Sequence, residues 1–118
     1  MTKHEHEIKT LLYDLKITTE IKGFHYLIEA IVIKEQANKT KVFKPQMEIY
    51  RDIAEKYNTR PSNVERAIRH AIERSYSNQT PLFLTVFKPA LSIHKDKITS
   101  SCFIAMAAEH LASLEAED

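Results

Sequence analysis

The chain has 118 residues, of which 43% are hydrophobic and 28% charged, the balance of one soluble globular domain with a single core. Its one glycine excludes a Gly-rich phosphate loop, and its one cysteine excludes an internal disulfide. A net charge of +1 argues against an indiscriminate polyanion binder, though a specific reader needs positive charge on only one surface. No signal-peptide pattern and no apolar run of spanning length is visible, so no membrane partner and a cytoplasmic location are expected.

Ile8, Leu11, Leu12 and Leu15 have the spacing of a first amphipathic helix. Lys16 to Glu20 reads as a break. Ile21 to Ile33 then carries Phe24, Leu27, Ile28, Ile31 and Val32 at helical spacing. Gln36 to Pro45 is polar and lysine-bearing, and reads as a loop. Gln46 to Tyr57 returns to helical period through Ile49, Tyr50, Ile53 and Ala54. The turn Asn58-Thr59-Arg60 follows, and Pro61 suits the first turn of the next helix. That helix runs from about Ser62 to Tyr76, with Val64, Ala67, Ile68, Ala71 and Ile72 as its apolar stripe. Ser77 to Thr80 reads as a turn. Leu82 to Phe87 is β-like in composition, but Pro81 and Pro89 bracket it, so a short helix or irregular segment is expected. His94 to Ser101 reads as a basic loop. Phe103 to Leu114 forms the last helix, and the acidic end from Glu115 is expected to fray.

Asp52 to His70 has the spacing of a DNA-binding helix-turn-helix. Ala54 supplies the small residue that the helix crossing demands. Asn58 tolerates positive φ where the turn needs it. Val64 and Ala67 face the first helix, and Ile53 and Ile68 extend that small core. This phasing puts Ser62, Asn63, Glu65, Arg66, Arg69, His70 and Glu73 on the outer side of the second helix. Recognition helices enter the major groove by their N-terminal turns. There Arg66 suits guanine O6 and N7, and Glu65 suits cytosine N4. Arg69, His70 and Arg60 are candidates for phosphates or further bases.

Blander readings stand beside these. A charged outer face also suits a merely solvated hairpin. Ser62 and Glu65 have the spacing of a capping box. Glu73 is placed to pair with Arg69 at i, i+4. His4-Glu5-His6-Glu7 has metal-ligand residue types but lies in an expected mobile N-terminus, so neither a metal site nor a cofactor is expected. Cys102, beside Phe103 and Ile104, reads as a buried structural cysteine. No nucleophile–base pair is visible, so an enzyme is not expected.

Val64-Glu65-Arg66-Ala67-Ile68-Arg69-His70-Ala71-Ile72-Glu73 resembles the recognition helix in the DNA-binding effector domain of the sporulation initiation regulator of spore-forming bacteria. Asp52-Ile53-Ala54 with Lys56-Tyr57-Asn58-Thr59 is similar to the helix and turn before it. Ile21 to Ile31 looks like that family's early helix, and Phe103-Ile104-Ala105-Met106 with Ala108 like its last. The likeness keeps order from about Ile8 to Leu111. It implies an all-α domain of about six helices containing a helix-turn-helix. It also implies binding to a short element of double-stranded DNA, often as tandem copies, hence a homodimer on adjacent sites. RNA polymerase is a candidate further partner. The loop matching His94 to Ser101 is implied to lie near the phosphate backbone, which makes Lys95 and Lys97 candidate contacts and Lys88 a weaker one.

The chain departs from the family pattern in four places. No receiver domain is present, so residues 1–118 read as one helical effector-like domain, either excised or stand-alone. Asn63 stands where the family usually has a basic residue. Ser75 to Leu84 looks shortened, in a region the family uses for partner contacts. Ile98 and Cys102 replace more polar or proline-like positions. The expected function is sequence-specific DNA binding and transcription regulation. The alternative is a stand-alone interaction module that modulates a full-length regulator or RNA polymerase.

Overall fold

The computed structural model describes residues 3–94 and 98–117, and six α-helices carry them. They are α1 (Lys3–Asp14), α2 (Phe24–Thr40), α3 (Gln46–Lys56), α4 (Pro61–Asn78), α5 (Pro81–His94) and α6 (Ser100–Glu117). No strand occurs among the described residues. The all-helical expectation holds, and no described helix is long and apolar enough to cross a membrane.

Ile8, Leu11 and Leu12 bury one face of α1. Leu15 and Ile17 are fully buried just beyond it, and Lys16 between them adopts a left-handed φ of 67°. The helix begins earlier than the mobile N-terminus expected from sequence. His4 holds it there: its Nε2 lies 2.7 Å from Glu35 Oε1 on α2, and its Nδ1 lies 3.3 Å from Glu115 Oε1 on α6. The second contact also keeps helical the acidic end that was expected to fray, since α6 runs to Glu117.

α2 packs against α1, α3, α4 and α6 and forms the centre of the fold. It starts at Phe24, after a turn in which the Phe24 N–H donates to the Ile21 carbonyl at 2.9 Å. The loop expected from Gln36 is helical as far as Thr40. Glu35 and Ala37 are buried there, so packing overrides the polarity of the segment. Lys41 at φ 57° then ends the helix, and the Val42 N–H donates to the Ala37 carbonyl at 3.0 Å.

Expectation and structure differ again at α5, which is a full helix of 14 residues with Pro89 inside it. Thr80 accepts the Phe83 N–H on its hydroxyl at 3.2 Å and starts the helix. An interior proline costs roughly 3 kcal/mol. Burial of Phe83, Val86, Phe87 and Ala90 offsets it. Phe87 stacks on Phe103 of α6 with ring centroids 4.5 Å apart, and Phe83 lies 5.2 Å from Phe87. α6 itself starts three residues before the expected Phe103, because Thr99 Oγ1 accepts the Cys102 N–H at 3.1 Å. Cys102 is half-buried rather than enclosed, its Sγ 3.7 Å from Met106 Sδ. Its place on the first turn of α6 leaves it only partly covered by the core.

Candidate nucleic-acid interface

α3 and α4 pack across a four-residue turn, residues 57–60. Ile49, Tyr50, Ile53 and Ala54 of α3 are buried, as are Val64, Ala67, Ile68, Ala71 and Ile72 of α4. Ala54 is 3% exposed at this crossing, where a longer side chain would push the helices apart. The turn closes through the Thr59 N–H, which donates to the Ala54 carbonyl at 2.9 Å. Asn58 takes φ 52° there. Its short amide side chain is among those that tolerate the left-handed region, in a chain that spends its only glycine elsewhere.

That glycine braces α4 from behind. A Cβ on Gly23 would overlap the Ala67 carbonyl oxygen and would lie 3.1 Å from Ala71 Cβ. Gly23 thus lets the start of α2 touch the middle of α4. The turn is tied to α2 as well. Lys56 donates to Glu29 Oε1 at 2.7 Å, and Tyr57 meets Tyr26 edge-on at 5.1 Å. The hydrogen bond to Glu29 raises the Lys56 pKa, and the bond to Asp52 raises that of Lys44. These two lysines are committed to carboxylates within the fold.

With its apolar stripe turned inward, α4 presents Ser62, Arg66, Arg69, His70, Glu73 and Arg74 to solvent, while Asn63 and Glu65 are half-buried at its edges. Arg60 is exposed and extended (φ −94°, ψ 147°) at the N-cap, and Pro61 occupies the first turn. Seven of the expected site residues (Arg60, Ser62, Asn63, Glu65, Arg66, Arg69 and His70) therefore lie on one helix and its cap. Lys95 and Lys97 lie outside the described residues. Lys88 is exposed on α5.

Local bonding separates these side chains. Arg69 Nη1 pairs with Glu65 Oε1 at 3.2 Å, so the expected Arg69–Glu73 pair does not form. The capping box also fails: the N-cap is Arg60, so Ser62 sits inside the first turn, and no side chain caps the helix. Asn63 donates its amide to Thr59 Oγ1 at 3.1 Å. The side chains of Arg60, Arg66 and His70 make no hydrogen bond or ion pair among the described residues. Their donors project from the first three turns of α4 unengaged.

Sequence reasoning missed three contributors. Arg74 shares the exposed face, four residues beyond His70, and that spacing was its signal. Thr59 was read only as turn residue. Gly23 enters the sequence reading only as the single glycine that excludes a phosphate loop, because its neighbours on α4 are more than forty positions away. Beside Glu65, Arg69 and Glu73 of α4, an open cleft of about 770 Å³ runs to the start of α6, walled also by Tyr50, Ile72, Tyr76 and Ile98.

The chain matches the family model of the sporulation initiation factor Spo0A C-terminal domain over residues 8–111. It belongs to this family. The match runs from Ile8 on α1 to Leu111 on α6 and takes in the whole α3–turn–α4 unit. The Spo0A C-terminal family is one of DNA-binding effector domains, and the chain is a DNA-binding regulatory domain of that kind.

Proposed function

We propose that the protein is a sequence-specific transcription regulator that inserts α4 into the major groove of a short DNA element. The observation that carries this is the set of unengaged donors on Arg60, Arg66 and His70 along the first turns of a helix braced by α2 and α3. Arg66 reads guanine through O6 and N7. Glu65, half-buried beside Arg69, accepts from cytosine N4 while Arg69 turns to a phosphate or base. Arg60, Ser62 and His70 contact the backbone beside the groove, and the family resemblance extends that role to Lys95 and Lys97. Residues 1–118 act as one helical effector unit, as tandem copies on adjacent sites.

A titration against the family's DNA element and a scrambled duplex, at two salt concentrations, tests this reading. A clear preference for the element, with affinity falling as salt rises, is expected. Equal binding to both duplexes would overturn it.

One observation favours a second reading, a protein-interaction module acting on a full-length regulator or RNA polymerase. Phe43 is 82% exposed, and Val42 and Met47 beside it are 62% and 52% exposed. Large apolar side chains grouped in the open are a feature of partner surfaces. Weak, salt-insensitive DNA binding together with tight polymerase binding would favour this reading over the first.

A further inference from the structure

A side-chain hydrogen bond joins Asn63 of α4 to Thr59 in the turn before it. Asn63 stands in the first turn, two residues after Pro61, and is half-buried. An amide side chain there has free rotation about its last bond unless something holds it. Thr59 holds it. The threonine backbone is itself fixed by the bond from its N–H to the Ala54 carbonyl, so the anchor belongs to the rigid turn. The bond from Asn63 Nδ2 to Thr59 Oγ1 uses one of the two amide hydrogens. One N–H and the Oδ1 acceptor remain for an outside partner.

That residual pair has a specific complement in the major groove. Adenine shows an acceptor at N7 beside a donor at N6, and an asparagine amide meets both at once. Guanine shows two acceptors, so Oδ1 would face O6 or N7 with no hydrogen between them. Cytosine offers only a donor, and thymine only an acceptor beside a methyl group. A group with one donor and one acceptor side by side therefore discriminates for adenine. We propose that Asn63 is an adenine-reading residue and that Thr59 is its positioning residue, orienting the amide before DNA arrives. This inference rests on α4 entering the major groove, and it adds a base preference that Arg66 does not supply.

Selection of bound duplexes from a pool randomised across the element tests it, using the full chain. Wild type should favour A·T over the other pairs by about tenfold at one position, in keeping with the worth of a bidentate contact. Asn63→Ala should flatten that one position to within about twofold and leave the guanine preference assigned to Arg66 in place. Thr59→Val keeps the side-chain shape but removes the hydroxyl. It should weaken the adenine preference several-fold while binding to scrambled DNA stays unchanged, and Thr59→Ser should restore the preference. Thermal melts of each variant separate misfolding from lost reading, since a merely structural role for Thr59 would lower all binding alike. An adenine preference that survives in Asn63→Ala, or a wild-type profile without one, overturns the proposal. If the wild type still selects guanine, and Arg66→Ala abolishes that, the DNA-reader account survives the loss of this inference. If no position is selected at all, both fall together.

Discussion

Gly23 carries much of the interface geometry and need not touch DNA. Gly23 permits the approach of α2 to α4, since any Cβ there would overlap the Ala67 carbonyl. Its φ of −78° is ordinary, so the demand is for space and not for backbone freedom. Gly23→Ala should cost about 1–3 kcal/mol as an overpacking change, and denaturant unfolding would measure it. Because the contact sets where α4 sits, the surviving folded fraction should also bind DNA less well. Arg66 makes the opposite case. It is exposed and unpartnered, so Arg66→Ala should leave the melting temperature nearly unchanged. In a binding titration it should lose about 1–3 kcal/mol on the specific element and little on scrambled DNA. The exposed arginine was visible from helical phasing. The space requirement at Gly23 was not, because it depends on a contact between residues distant in the chain.

Helix ends follow a common device. Lys16, Lys41, Asn58 and Gln79 all take positive φ beyond or between helices, in a chain with a single glycine. A non-glycine residue there costs about 1–2 kcal/mol, and glycine gives back roughly half through its larger unfolded-state entropy. Lys41→Gly should therefore raise stability by up to about 1 kcal/mol, read as a higher denaturation midpoint. The start of α6 depends on a side-chain cap instead. Thr99→Ala removes the acceptor of the Cys102 N–H and should cost about 1 kcal/mol. Helical period located five of the six helices, while α5 was expected only as a short helix or irregular segment about Leu82 to Phe87. It failed where polar sequence was helical, at Gln36 to Thr40, and where proline sat inside a helix, at Pro89. In both places burial against neighbouring helices outweighed local preference.

Across the whole molecule, His4 joins α1 to α2 and α6 through Glu35 and Glu115. Burial pushes the Glu35 carboxyl above its ordinary value, against a smaller lowering by His4. The folded state therefore favours the protonated acid. That contribution is fully present below the ordinary carboxylate value of 4.5 and is withdrawn as pH rises through the raised one. Glu35→Gln keeps an acceptor for His4 without the buried charge. It should melt higher than wild type at pH 7, and the gap should close as pH falls below about 4.5; a constant gap across that range would count against the assignment.

Composition and helical period by themselves pointed to amphipathic helices, and the ordered motifs pointed to the family and, through it, to an all-α fold of about six helices. They also placed Arg60, Ser62, Asn63, Glu65, Arg66, Arg69 and His70 on one helix or its cap, because a buried stripe dictates the opposite face. Which of those side chains stand unengaged was decided only by tertiary and local bonding. Arg69 turns to Glu65, Asn63 to Thr59, and Lys56 to Glu29. Spacing offers several partners for each charge or amide. Distance and geometry in the folded chain select one, and so decide what remains on the surface for DNA.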